Sequence, residues 1–157
     1  MADKVYDLED RLLEYAAEII RISEHLRPSA AGKHIGNQLL RAGTSPYLNH
    51  GEAEAAESRK GFVHKLKICL KELRESRRAL RLIKRVPLTE DVNAIDAALL
   101  ESEGLIRIFV ASVRTAEKKV VREEGSKYQT DSTSAFGVGR SAFEVESPIL
   151  DVRSSES

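Results

Sequence analysis

Residues 58–86 carry two stripes that only a helix can separate. Phe62, Leu66, Cys69, Leu73, Ser76, Leu80 and Ile83 recur at intervals of three and four, and so do Lys60, His64, Lys67, Lys71, Arg74, Arg78, Arg81 and Arg85. At about 3.6 residues per turn the two series fall on nearly opposite sides of one helix. The first series packs into a core. The second is a row of positive charge roughly 37 Å long at about 1.5 Å per residue. The whole chain is neutral, with 25 basic and 25 acidic residues, yet this stretch holds 11 Lys and Arg against two acids, Glu72 and Glu75. Neither acid sits in the row. Surface helices commonly interleave Glu with Lys at i,i+4, which gains about 0.2–0.5 kcal/mol per pair. A charge run can be a merely solvated face, but a row without acids costs self-repulsion that solubility does not require. The pattern points to an anionic partner, either a phosphate backbone or an acidic protein surface.

The flanking sequence is helical too. Val5, Leu8, Leu12, Tyr15, Ile19, Ile22 and Leu26 follow the alternating three-four spacing of a bundle seam. Arg27-Pro28-Ser29 breaks that helix, and Ser29 is placed to cap a second one from Ala30, with Ile35, Leu39 and Ala42 on one face. Gly43-Thr44-Ser45-Pro46 should kink or break this second helix. The basic helix ends at Val86-Pro87, and Thr89 is the expected N-cap of a fourth helix, with Glu90 and Asp91 in its first turn. Its seam reads Val92, Ile95, Leu99, Ser102, Ile106, Phe109, Val113, Ala116 and Val120, and Lys118, Lys119 and Arg122 would complement its C-terminal dipole. After Gly125 the composition turns to Ser and Thr without period, and Phe136, Phe143, Ile149 and Leu150 are scattered apolar positions. The expected organisation is all-α, an antiparallel up-down-up-down four-helix bundle over residues 1–122 and a flexible C-terminal tail over 123–157. Its core should include Leu12, Ile19, Ile35, Leu66, Leu73, Leu99, Ile106 and Phe109. Leu13, Ile20, Leu100, Leu105 and Val110 are surplus apolar positions beside the seams, which suggests contacts between subunits.

Several function classes lack their chemistry here. The di-iron centres of helical bundles need Glu-x-x-His pairs, and none of His25, His34, His50 and His64 has a Glu three residues earlier. Gly43 and Gly51 are not followed by the Lys-Ser/Thr of a phosphate loop. Thr44, Ser45 and His50 have no orienting acid, so they do not make a nucleophile and base. The single Cys69 lies on the apolar stripe and reads as a small buried hydrophobe, consistent with a reducing compartment. The expectation is a non-enzyme with no metal and no cofactor. No secretory leader or membrane span is visible in the sequence, so a prokaryotic cytoplasm and no membrane partner are expected.

Asn37-Gln38-Leu39-Leu40-Arg41-Ala42-Gly43-Thr44-Ser45, then Glu52-Ala53, Ala56-Glu57-Ser58, Phe62, Lys65-Leu66 and Leu70-Lys71-Glu72-Leu73-Arg74-Glu75 resemble the four-helix-bundle family of proteins encoded in intervening sequences of bacterial 23S ribosomal RNA genes. The likeness spans roughly residues 5–120. It implies a second helix that continues through Gly-Thr-Ser and a ring-shaped homopentamer. That family in turn resembles the basic accessory proteins that partner reverse transcriptases in diversity-generating retroelements. Where the family commonly has an aromatic pair, this chain has Arg78-Ala79, which strengthens the basic row.

Two functions compete. In the first, the eight-residue row binds RNA or another nucleic acid through phosphates, with little sequence preference because no aromatic interrupts it. In the second, the protein is a scaffold whose basic helix docks an acidic partner or a neighbouring subunit. The first helix offers an outer row of Asp3, Asp7, Asp10 and Glu14 for such pairing.

Overall fold

The computed structural model describes residues 7–131. Four helices fill them: α1 Leu8–Glu24, α2 Ala30–Glu54, α3 Arg59–Arg85 and α4 Val92–Asp131. No strand occurs among the described residues. The connections are short, and cross-helix contacts show that each helix runs back along the one before. On α2 and α3, Glu52 meets Lys65, the Pro46 carbonyl accepts the Cys69 thiol at 3.4 Å, and Arg41 meets Glu72. On α3 and α4, Lys60 meets Glu124, Lys67 meets Glu117, and Lys84 meets Asp96. The ring closes where α1 touches α4, the smallest of the four interfaces. This is the up-down-up-down bundle expected from the periodicity.

The starts of α2, α3 and α4 are fixed by side-chain caps, whereas Asp7 before α1 makes no such bond. Ser29 and Ser58 each accept the backbone N–H three residues on, from Gly32 and Gly61, both at 3.0 Å. At α4 the expected cap moves. Asp91 Oδ1 accepts the Ala94 N–H at 3.0 Å, while the Thr89 hydroxyl accepts the Asp91 N–H at 3.2 Å. Thr89 therefore shapes the turn before the helix, and Glu90 and Asp91 precede its first turn. The Arg27 N–H donates to the Leu88 carbonyl at 2.8 Å, tying the first connection to the third.

The Gly43-Thr44-Ser45-Pro46 stretch does not break α2, which runs through it with Pro46 inside. Gly43 serves packing instead. A Cβ built there would lie 2.5 Å from Ile19 Cγ2 and 2.9 Å from Ile19 Cβ, so α1 and α2 meet at a spacing that only glycine allows.

The core is made by Leu12, Tyr15, Ile19 and Ile22 of α1, Leu39 and Ala42 of α2, Leu66, Cys69, Leu73, Leu80 and Ile83 of α3, and Ile95, Leu105 and Phe109 of α4. The α3 stripe is buried as its spacing requires, apart from a half-buried Phe62. Ile35, Leu99 and Ile106, expected in the core, are only half-buried, and Leu105, expected outside it, has no exposed surface. The reason is a choice of register on α4. Ala98-Leu99 and Leu105-Ile106 offer two adjacent apolar rows, and the row through Ile95, Ala98, Ser102, Leu105 and Phe109 points inward. Leu13, Ile20 and Leu100 are exposed, as the surplus positions require.

Buried polarity is small, and two of its atoms, His50 Nδ1 and Arg77 Nε, have no hydrogen-bond partner among the described residues. Ser76 Oγ donates to the Leu73 carbonyl at 3.0 Å, so its oxygen is left to accept the Tyr15 hydroxyl at 2.8 Å. Burial pushes the Tyr15 phenol up to about 12, against the opposing effect of that hydrogen bond. α4 also corrects the expected boundary at 122: it continues to Asp131, so residues 123–131 are helical and Lys118, Lys119 and Arg122 lie well inside the helix rather than at its end. Residues 132–157, with Phe136, Phe143, Ile149 and Leu150, lie outside the described residues, as do Asp3 and Val5.

Candidate nucleic-acid interface

α3 buries one side against α2 and α4, which leaves the opposite side to solvent. Lys60, His64, Lys67, Lys71, Arg74, Arg78, Arg81 and Arg85 are all exposed along it. The row nevertheless divides into two unlike halves. Near the start of α3, Lys60 is 2.6 Å from Glu124 and Lys67 is 2.5 Å from Glu117, both on α4; Arg59 beside them meets Glu123 at 2.5 Å. The Glu124 carboxylate raises the Lys60 ammonium, and Lys60 lowers Glu124. A step of seven residues along both helices puts Val110 opposite Arg74, and the Lys84–Asp96 pair, which shifts the register by four, leaves Leu99 beside Arg81; no ion pair forms at either place. His64, Arg74, Arg78, Arg81 and Arg85 have no acidic partner among the described residues, and Lys71 has only Glu72 at 4.0 Å. The uncompensated charge is thus concentrated in the C-terminal half of the row.

The two acids of α3 cannot offset it. Arg41 of α2 donates to Glu72 Oε2 at 3.2 Å and also grips Glu75. The Glu72 side chain is 7% exposed and held by Arg41, and Lys71, at 4.0 Å, is the one residue of the row that it reaches. The stripe analysis missed Arg41, because its effect runs through a helix pairing that spacing along α3 does not show. Beyond it, an open groove of about 950 Å³ is lined by Arg78, Arg81, Leu82, Lys84, Arg85 and Leu99. Four cations around a shallow, partly apolar floor can hold phosphates. Guanidinium groups suit this because their fixed fork can bind two oxygens at once.

Thr44, Ser45 and His50 are engaged separately rather than with one another. Asn49 Nδ2 donates to Ser45 Oγ at 2.9 Å, the Thr44 hydroxyl donates to the Leu40 carbonyl at 2.7 Å, and His50 packs edge-on against Phe109 with centroids 6.2 Å apart. Burial pushes the Cys69 thiol up to about 12, so it is not a thiolate nucleophile at neutral pH. Among the described residues no group of three or more His, Cys, Asp or Glu side chains is placed to hold a metal ion, and no helix is long and apolar enough to cross a membrane.

Comparison with known proteins agrees with this architecture. Residues 6–107 match the model of the 23S rRNA-intervening sequence protein family, and the chain belongs to that family. It is also similar to the crystal structure of a protein of unknown function from the S23 ribosomal protein family of Bacteroides thetaiotaomicron VPI-5482. The identity is 29%, the match covers 68% of this chain and 98% of the other, and the TM-score is 0.63. A search of curated proteins finds no match.

Proposed function

We propose that this member of the 23S rRNA-intervening sequence protein family is a non-enzymatic, homo-oligomeric bundle that binds RNA or other nucleic acid through the exposed face of α3. One observation carries the reading: Arg74, Arg78, Arg81 and Arg85 stand on one face with no ion-pair partner among the described residues, while the other end of the same row is neutralised by α4. Lys60 and Lys67 remain usable, because exposed ion pairs are worth only about 0–1 kcal/mol and exchange readily for a phosphate. The exposed Leu13, Ile20 and Leu100 support self-association, with the pentameric ring of the resembled family as the expected state. Repetition of one weak basic face around a ring multiplies its affinity. A reverse transcriptase or another ribonucleoprotein enzyme is the protein partner this reading favours.

The test is binding of a fluorescent RNA across a salt series. Four phosphate contacts give a slope near −3.6 in log K against log salt, so affinity should fall about 100-fold between roughly 50 and 200 mM salt. The Arg74→Gln/Arg78→Gln/Arg81→Gln variant should lose binding and keep its helicity and subunit mass. The scaffold reading has its own support in Leu82 and Leu99, which give the basic groove an apolar floor. It forecasts that this variant loses its assembly and that the native protein binds no RNA at low salt. Light scattering reads the oligomer directly, and a mass of 17.5 kDa would refute self-association.

A further inference from the structure

α4 carries a second set of unpaired cations that the α3 row does not account for. Arg107, Arg114, Lys118 and Arg122 are exposed and have no acidic partner among the described residues. The nearby acids Glu117, Glu123 and Glu124 are occupied by Lys67, Arg59 and Lys60 of α3. Arg114, Lys118 and Arg122 are four apart, and they share one face around a shallow depression of about 410 Å³. Like charges at this spacing repel on a helix. The explanation that they complement the end of α4 fails, because the helix continues to Asp131.

Their position relative to α3 is fixed by the ion pairs. The register that joins Lys67 to Glu117 puts Val110 opposite Arg74, and Arg107 and Arg114 flank Val110 by three and four residues. Between the two cationic lines runs a seam of Asp96, Glu117 and Glu124, each neutralised by a lysine of α3, with Glu103 the one acid of that line left unpaired. The surface is therefore positive, near-neutral, positive across its width. Neighbouring helix axes lie about 8–10 Å apart, comparable with the roughly 6–12 Å widths of duplex grooves. A single strand would follow one line and leave the other idle, and one exposed aromatic among the described residues, Tyr128 near the end of α4, offers no run of rings on which successive bases could stack.

We infer that Arg107, Arg114 and Lys118 form a second phosphate-binding line, so that α3 and α4 together grip the two strands of a nucleic-acid duplex. This rests on the nucleic-acid reading of α3 and names its ligand as double-stranded. The experiment uses the full-length protein, a mixed-sequence RNA duplex of about 20 base pairs, and one of its strands alone. The native protein should bind the duplex more tightly than the strand. The variant Arg107→Gln/Arg114→Gln/Lys118→Gln should bind the duplex at least 10-fold more weakly, with its salt slope reduced by about 2–3 as phosphate contacts are lost, and should bind the strand nearly as the native protein does. Circular dichroism and subunit mass confirm that the variant is folded and assembled. Unchanged duplex affinity and slope in this variant overturn the second line, while loss of binding in the α3 variant leaves the α3 reading standing. Tighter binding of the strand than of the duplex overturns the inference as well. Absence of all RNA binding in the native protein refutes both.

Discussion

Gly43→Ala tests the closest approach in the bundle. The added methyl would meet Ile19 Cγ2, Cγ1 and Cβ at 2.5, 2.7 and 2.9 Å, where carbon atoms rest comfortably at about 3.5–4.0 Å. Ile19 has no exposed surface, and a β-branched side chain in a helix has one strongly preferred χ1. Rotation also cannot help, since Ile19 Cβ is itself too close. α1 and α2 must separate by about 1 Å. Overpacking of this kind costs about 1–3 kcal/mol, and the upper end applies because no rotamer relieves it. Alanine recovers about 1 kcal/mol through helix propensity, which leaves a net loss of about 2 kcal/mol. For a chain of this size that is a fall of about 4–8 °C in Tm, read by circular dichroism or urea unfolding. Gly51→Ala in the same helix is the control, since nothing lies within 4 Å of its added methyl; it should be neutral or stabilising by up to about 1 kcal/mol. Combining Gly43→Ala with Ile19→Ala should cost less than the sum of the two single changes. A Gly43→Ala protein as stable as the native one would refute the packing argument.

Other expectations follow from the same structure. The Tyr15 phenol is raised to about 12 from an ordinary value near 10, so the folded state favours its neutral form. That contribution is fully present below about pH 10 and is lost as pH rises toward 12; Tyr15→Phe should flatten the stability profile in that window. Cys69, held up near 12 by burial, should resist a disulfide reagent at pH 8 in the native protein and react fully in denaturant. Arg41→Gln removes the partner of the buried Glu72 and should destabilise the bundle by about 1–3 kcal/mol, with Glu72→Gln added to the same protein recovering part of the loss in urea unfolding.

Much of the fold could be read along the chain. Period alone located α1 and α3, and Ser29 marked the start of α2, because burial of one face and capping of the first turn are local requirements. Three features depended on neighbours in space. On α4, Ala98 and Leu99 satisfy the same apolar pattern, and only the surrounding helices choose between them. Gly43 and Pro46 carry the local signature of a break, yet the approach of Ile19 gives the glycine its place inside a continuous helix. The basic row of α3 was visible as composition and spacing, but its division into a neutralised and an uncompensated half was not. That division depends on Glu117 and Glu124, which stand opposite Lys67 and Lys60 only once α4 has folded back along α3.

The ring order of the helices also sets how the chain reaches its native state. Each of the three larger interfaces joins helices that follow one another in sequence, and the smallest joins the first helix to the last. Pairing across the short connections closes small loops at little entropic cost, whereas bringing Arg11 to Glu101 closes a loop of some ninety residues. Topology predicts that α2 and α3 pair first and that α1 and α4 close last, so that a core truncation at Leu73 slows refolding while Arg11→Ala chiefly speeds unfolding in stopped-flow measurements. In the finished bundle that same small seam is expected to part first, with the amides of α1 exchanging before those of α3 in a native-state hydrogen-exchange measurement.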